Sequence, residues 1–255
     1  MTEEQVFKKM FDNPPPRHGI PRPDEIPRVK TARLPSTQED IMKRLEKYKG
    51  ILLTGGADDA KIIKAKVIPQ DPRVILKCYA PKCPHYGQSA TCPPHTRGNF
   101  QEAREIVGAY TWALVYRVNI PKKGRKYVTG PELLGMATSK KGFHIMGSMQ
   151  RYVFGIGEKV QQAAYYDGLY WAVNCHYGPC ISMLCEEFDY CQEIKTGQCR
   201  FPTLSKPSFE QTLCIDLIKL TTSLGWDHYM MGFCAYPDDY PKDYKPYLTG
   251  LVLVD

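Results

Sequence analysis

The sequence predicts an α/β domain, a single mixed sheet flanked by helices, with two cysteine-rich cluster loops and an extended proline-rich arm at its start. Three observations lead there. Stretches of strand character (WALVYRV, LYWAVN, YLTGLVLV) alternate with segments of helical periodicity along the chain. Seven of the ten cysteines fall in two short runs, each expected to leave the end of a strand. Residues 13 to 35 carry seven prolines and few large apolar side chains, so they form neither a helix nor a central strand. The expected organisation is an arm over residues 1–35 and one domain over 36–255, long enough to bury its own core.

The domain opens with STQEDIMKRLEKYKG, where Ser36 and Glu39 have capping-box spacing, Ile41, Leu45 and Tyr48 share a face, and Gly50 is the expected end. A short helix is expected over residues 58–66, and RVILK reads as a strand delivering Cys78. NFQEAREIV predicts a helix capped by Asn99, followed by the strand WALVYRV. From Ile145 to Ala164 apolar residues recur at helical spacing, although Gly155 and Gly157 interrupt the pattern. LYWAVN predicts a strand ending at Cys175, KPSFEQTLCIDLIKLTTSLG a helix from Pro207 to Gly225, and YLTGLVLV a last strand.

The first residues lack the apolar stretch of a secretory signal, and no run approaches the roughly 20 residues that span a bilayer. A soluble, cytoplasmic protein is expected. In such a compartment thiols stay reduced, so ten cysteines point to metal ligation rather than disulfides. The formal charge of +7 counts every thiol as neutral. Eight ligating thiolates on two cluster cores would bring it to roughly +3, which makes much of the basic excess a counter-charge. Short basic runs such as PKKGRK suit a solvated surface or an acidic redox partner or enzyme subunit rather than nucleic acid, and nothing suggests a membrane.

The first cysteine run is C-x4-C-x8-C-P-P, with Cys78, Cys83 and Cys92. The second is C-x4-C-x5-C-x7-C, with Cys180, Cys185, Cys191 and Cys199. An irregular loop can curl several sulfurs round one centre, whereas a regular element aims successive side chains apart. Neither run has the C-x2-C knuckle common in structural zinc sites, and gaps of four to eight residues suit a larger object. The expected cofactor is therefore a 4Fe–4S cluster, two in all, with zinc as the alternative. Four cysteines complete one cluster; three leave one iron open to another protein ligand, water or substrate. Candidates for that place are Cys175, Cys214, His85, His95 and His176, and Cys175 is included among the cofactor-binding residues. Cys234 reads as packing.

Together KCPHYGQSATCPPH, YYDGLYWAVNCHYGPC and CRFPTLSKPSFEQTLCIDL resemble the predicted metal-binding proteins catalogued as domain of unknown function 2284, over roughly residues 70 to 225. The resemblance implies cysteine-ligated metal, iron–sulfur in kind, in anaerobic-type metabolism, and brings no established reaction. Carried over by position, Cys78, Cys83 and Cys92 match the family's first cysteine group and Cys180, Cys185, Cys191 and Cys199 its second. After GPC the family is tighter, resembling C-x2-C-x2-C, while this chain has spacers of four and five residues, which brings in Cys175 as a substitute ligand.

These features lead to an iron–sulfur protein acting as an electron-transfer or redox-active oxidoreductase component of a larger enzyme system. The alternatives are an enzyme binding substrate at the open iron of the Cys78/Cys83/Cys92 cluster, and a zinc-stabilised module for protein or nucleic acid. The sequence holds no GxGxxG after a strand, no Walker loop, no G-x-S-x-G elbow and no HExxH, so nothing in it identifies a nucleotide or flavin cofactor.

Overall fold

A computed structural model describes residues 1–12, 37–80, 82–96, 99–127, 140–228, 243 and 245–255, with the backbone alone at 126–127 and 140–144. Four strands form one sheet: β1 (Asp59–Lys64), β2 (Trp112–Asn119), β3 (Val173–Cys175) and β4 (Tyr247–Val254), in the order β1-β2-β4-β3. The two central strands owe their near-continuous apolar sequences to cover on both faces. Successive strand residues point to opposite sides. On one side Leu114, Tyr116, Val118 and Val252 meet α2 (Gln38–Gly55) and the long α5 (Lys140–Tyr166) through Leu45, Tyr48, Leu52, Val153 and Ile156. On the other, Ala113, Val115, Leu251 and Leu253 meet Phe209, Leu213, Ile215, Leu217 and Trp226. Each large side chain so buried stabilises the fold by about 1.5–3 kcal/mol.

Helices and strands alternate as the sequence predicts, but every strand pairing among the described residues is antiparallel, where a mixed sheet was expected. Strands β2 and β4, the long α5 and α4 (Phe100–Ala109) lie at their expected places, α4 with the Asn99 side chain accepting from the Glu102 N–H at 3.0 Å. Thr37 rather than Ser36 caps α2, accepting from the Asp40 N–H at 3.1 Å. That helix passes through Gly50 because Leu52 extends its buried face, and it stops at Gly56, whose φ of 118° favours glycine.

Three segments depart from expectation. Residues 59–64 form strand β1, not a helix: Ile62 and Ile63 suit a pleated surface, and Lys61 and Lys64 guard an edge. Residues 72–75 form a 3-10 turn, with Pro72 in its first turn and Asp71 accepting from the Arg73 N–H at 2.9 Å, so Cys78 sits in a helical turn, α3 (Leu76–Tyr79). The helix expected from Pro207 to Gly225 survives only as α8 (Leu217–Ser223), capped by Asp216 accepting from the Lys219 N–H at 3.0 Å. Ahead of it the chain turns to bury Phe209 and Leu213. Glu3–Phe7 (α1) and Lys8–Asp12 are helical and place Val6 and Met10 in the core, whereas residues 13–35 and Cys234 lie outside the described residues. Among the described residues no helix is long and apolar enough to cross a membrane.

The glycines of α5 mark close approaches. A side chain at Gly157 would run into the Asn174 carboxamide and the Tyr116 hydroxyl, and one at Gly147 would meet the Ser182 carbonyl oxygen in α6 (Cys180–Leu184). That carbonyl is backbone and cannot rotate aside. Gly147→Ala is therefore expected to push α6 from α5 at a cost of about 1–3 kcal/mol, read as a lower urea midpoint; an unchanged midpoint would show that the two helices can separate freely.

Candidate metal centre

Both cysteine segments leave regular structure and return through a series of turns. In the first, the Cys83 N–H donates to the Cys78 carbonyl at 3.1 Å, the Cys92 N–H to Ser89 at 3.0 Å and the Gly87 N–H to Pro93 at 2.8 Å. The last bond folds the prolines after Cys92 back over the loop. Cys78 and Cys92 are buried and Cys83 half-buried. In the second, Cys180 begins α6, Cys185 follows it, Cys191 precedes α7 (Gln192–Thr196), and Cys199 comes after the left-handed Gly197. Cys180, Cys185 and Cys191 are buried, Cys199 half-buried.

The four sulfur-bearing residues of the second segment line one cavity, together with Ala90, Arg200, Phe201 and Ser205. The cavity is narrow, about 10 Å³. Burial pushes the Cys185 thiol up to about 12, helped by repulsion from Cys180, Cys191 and Cys199 and opposed by Arg200. Arg200 is fixed there by stacking over Phe188, 4.1 Å from the ring centre, and by donating to the Tyr190 carbonyl at 2.9 Å. The Phe201 N–H donates to the Cys199 sulfur at 3.4 Å.

The first segment adjoins the second. Burial pushes the Cys92 thiol up to about 12, and repulsion adds to it from Cys180 as well as from Cys78, Cys83 and Cys191. Burial pushes Cys78 up to about 11, with Cys83 contributing. The Ser89 hydroxyl lies 3.0 Å from the Cys180 sulfur, and the Thr91 hydroxyl donates to it at 3.4 Å. Thus all seven cysteines of the two runs belong to two neighbouring groups. Among the described residues, no set of three or more His, Cys, Asp or Glu side chains is arranged to hold a single metal ion.

The remaining candidates are dispersed. Cys175 pairs with Leu251 inside the sheet, among Phe209, Leu213 and Leu251, and burial alone pushes its thiol up to about 12. The structure therefore places it in the core rather than with either group, because β3 turns its side chain towards the sheet's second apolar face. Cys214 is buried at a turn with φ of 53°, its thiol raised by burial. His176 is buried edge-on against Phe154, with Nε2 2.9 Å from the Leu204 carbonyl oxygen, and burial pulls it down to about 4. His95 is exposed. His85 remains beside the first group, held neutral by burial that lowers it to about 4. It lines a pocket with Gln88, Ser182, Glu186 and Phe188.

Sequence reasoning missed the polar groups around the sulfurs, Ser89, Thr91, Arg200 and Ser205, and Arg151, which donates to the Met183 carbonyl behind them. The hydroxyls on either side of Ala90 in QSATCPP were a usable signal; Arg151 and Arg200 gave none, since an arginine's partner is decided by the fold.

A family model described as predicted metal-binding protein (DUF2284) matches residues 61–253, which include both cysteine groups and the whole sheet apart from the ends of β1 and β4. The chain belongs to the DUF2284 family. No curated protein and no solved structure matches it. For this DUF2284 chain the donor set suits a soft, thiophilic metal: two neighbouring groups of thiols, one around a common cavity beside an arginine counter-charge.

The raised thiols give the metal-free protein a pH signature. Unfolded, these cysteines ionise near their ordinary 9.0; folded, Cys78 waits until about 11 and Cys92 and Cys185 until about 12. The unfolded state therefore loses protons first as pH rises. Stability of the metal-free chain is expected to be fully present below about pH 9 and to fall above it, measured by urea unfolding across that range. A midpoint that rises through the same window would contradict the assignment of neutral, buried thiols.

Proposed function

We propose that this chain carries two iron–sulfur centres, one held by Cys180, Cys185, Cys191 and Cys199 and one by Cys78, Cys83 and Cys92, and serves as a redox component of a larger enzyme system. The observation that carries the proposal is the single cavity lined by four cysteines, with three more adjoining it through Cys92. A lone tetrahedral ion draws its sulfurs to a point, whereas an iron–sulfur core spreads them over its corners. Cysteine gaps of four to eight residues favour the second arrangement. When bound, such cores supply one-electron chemistry at potentials set by charge, hydrogen bonding and exposure. The residues of this chain bury Cys78, Cys92, Cys180, Cys185 and Cys191, and Arg200 offsets thiolate charge.

Iron, acid-labile sulfide and zinc are to be measured on anaerobically purified protein. The expected result is iron and sulfide in near-equal amounts, lost in part in Cys185→Ser and retained in Cys175→Ala. Zinc without sulfide, or iron unaffected by Cys185→Ser, would overturn the proposal.

A second reading is favoured by a pocket of about 300 Å³ lined by Pro84, His85 and Gln88 of the first segment and by Ser182, Glu186 and Phe188 of the second. Pro84 directly follows Cys83, and a three-thiolate centre opening onto this pocket would leave one iron accessible to a small substrate, acting as a Lewis acid. On this reading cyanide alters the electron paramagnetic resonance of the first centre, and Gln88→Trp, which fills the pocket mouth, suppresses the change. A first-centre spectrum indifferent to cyanide would leave electron transfer as the sole reading.

A further inference from the structure

The Cys180 sulfur is surrounded by hydroxyls, and their orientation is fixed by the backbone. Ser89 is fully buried; its oxygen accepts the Thr91 N–H at 3.3 Å and lies 3.0 Å from both the Cys180 sulfur and the Thr91 hydroxyl, so its proton is shared between these two acceptors. The Thr91 oxygen accepts the Cys180 N–H at 3.5 Å, and its proton turns to the sulfur, at 3.4 Å. A thiolate has no proton to give, so once Cys180 ligates a metal any bond between these hydroxyls and the sulfur is donated by the hydroxyl: Thr91 directly, and Ser89 either directly or by donating to Thr91. Ser205, which lines the same cavity, supplies a third hydroxyl, and these three bonds oppose the rise that burial imposes on the Cys180 thiol. The Thr91 carbonyl is itself tethered, accepting from the Thr212 hydroxyl at 3.4 Å.

We propose that Ser89, Thr91 and Ser205 are positioning residues that raise the reduction potential of the centre held by Cys180. The proposal rests on the iron–sulfur reading above. Adding one electron to such a core places part of the new charge on its sulfurs, so donors aimed at a ligating sulfur stabilise the reduced form more than the oxidised form. Two of the three donors lie on the first segment, and Thr91 immediately precedes Cys92. The potential of the second centre is therefore set by the loop that holds the first. Any shift of that loop, through partner docking or occupation of the first centre, would alter the donor geometry and the potential together.

The test is a potentiometric titration of the full, anaerobically loaded chain, followed by electron paramagnetic resonance, for the unsubstituted protein and Ser89→Ala, Thr91→Val and Thr91→Ser. The second centre's signal is identified by its loss in Cys199→Ser. Ser89→Ala and Thr91→Val are each expected to lower its reduction equilibrium constant by about tenfold, which is about 59 mV for one electron. The first centre should stay unmoved, and Thr91→Ser should restore the original value. Thr91→Val and Thr91→Ser differ in the hydroxyl at a half-buried position, so this pair separates hydrogen bonding from packing. Variants with full iron and sulfide content and an unmoved second potential would overturn this inference alone. A chain that binds no sulfide would overturn it together with the reading of the site.

Discussion

A buried arginine determines where the second cysteine segment lies. Arg151, on α5 and almost without exposure, donates to the Met183 carbonyl at 2.9 Å and to the Ser148 hydroxyl at 3.0 Å, and faces Glu186 at 3.5 Å. Breaking a buried pair costs about 3–5 kcal/mol because the remaining charge is stranded. The segment from Cys180 to Glu186 must therefore wrap the guanidinium. Gly147 permits the close approach of backbone that this requires, one helical turn earlier on the same helix. The position of Cys180 and Cys185 follows from an ion pair and a missing side chain, not from the cysteines themselves.

From that anchor the rest of the site is built outward. With Cys180 fixed, the hydroxyls of Ser89 and Thr91 draw the first segment against it, and the turns around Cys83 and Cys92 bring the other thiols alongside. Crowding so many thiols in a dry region disfavours their ionisation, which raises Cys78, Cys92 and Cys185. A bound cation would reverse that balance. The fold thus keeps the Cys78, Cys92 and Cys185 thiols neutral, so that loading a metal on them would release protons.

Periodicity made the framework legible where burial was two-sided or helical: β2, β4, α4 and α5 needed no tertiary information beyond their apolar patterns. It misled where short segments answer to their neighbours. Residues 59–64 carry lysines on a pattern compatible with a helix, yet β2 offers them an edge to pair with. Residues 207–215 have a helical apolar spacing, but Ser208 bridges His176, Ile215 bridges Gln70 and Cys214 takes a φ of 53°, so the backbone forms turns in place of a helix. Of the site, the two cysteine groups were visible in spacing alone. Cys175 was not excluded, because only the register of β3 against β4 shows that its sulfur enters the core. The polar groups that tune the sulfurs depend on contacts between residues 89 and 180, a separation no local pattern encodes.

The proposed redox role requires the seven thiols to hold iron–sulfur cores. Mössbauer spectroscopy of protein expressed with isotopically enriched iron and purified without oxygen tests this most directly. The account predicts spectra of valence-delocalised clusters, with one cluster containing a distinct iron site that lacks a thiolate. Spectra of isolated iron in a four-sulfur or mixed-ligand environment, or protein free of iron, would contradict it.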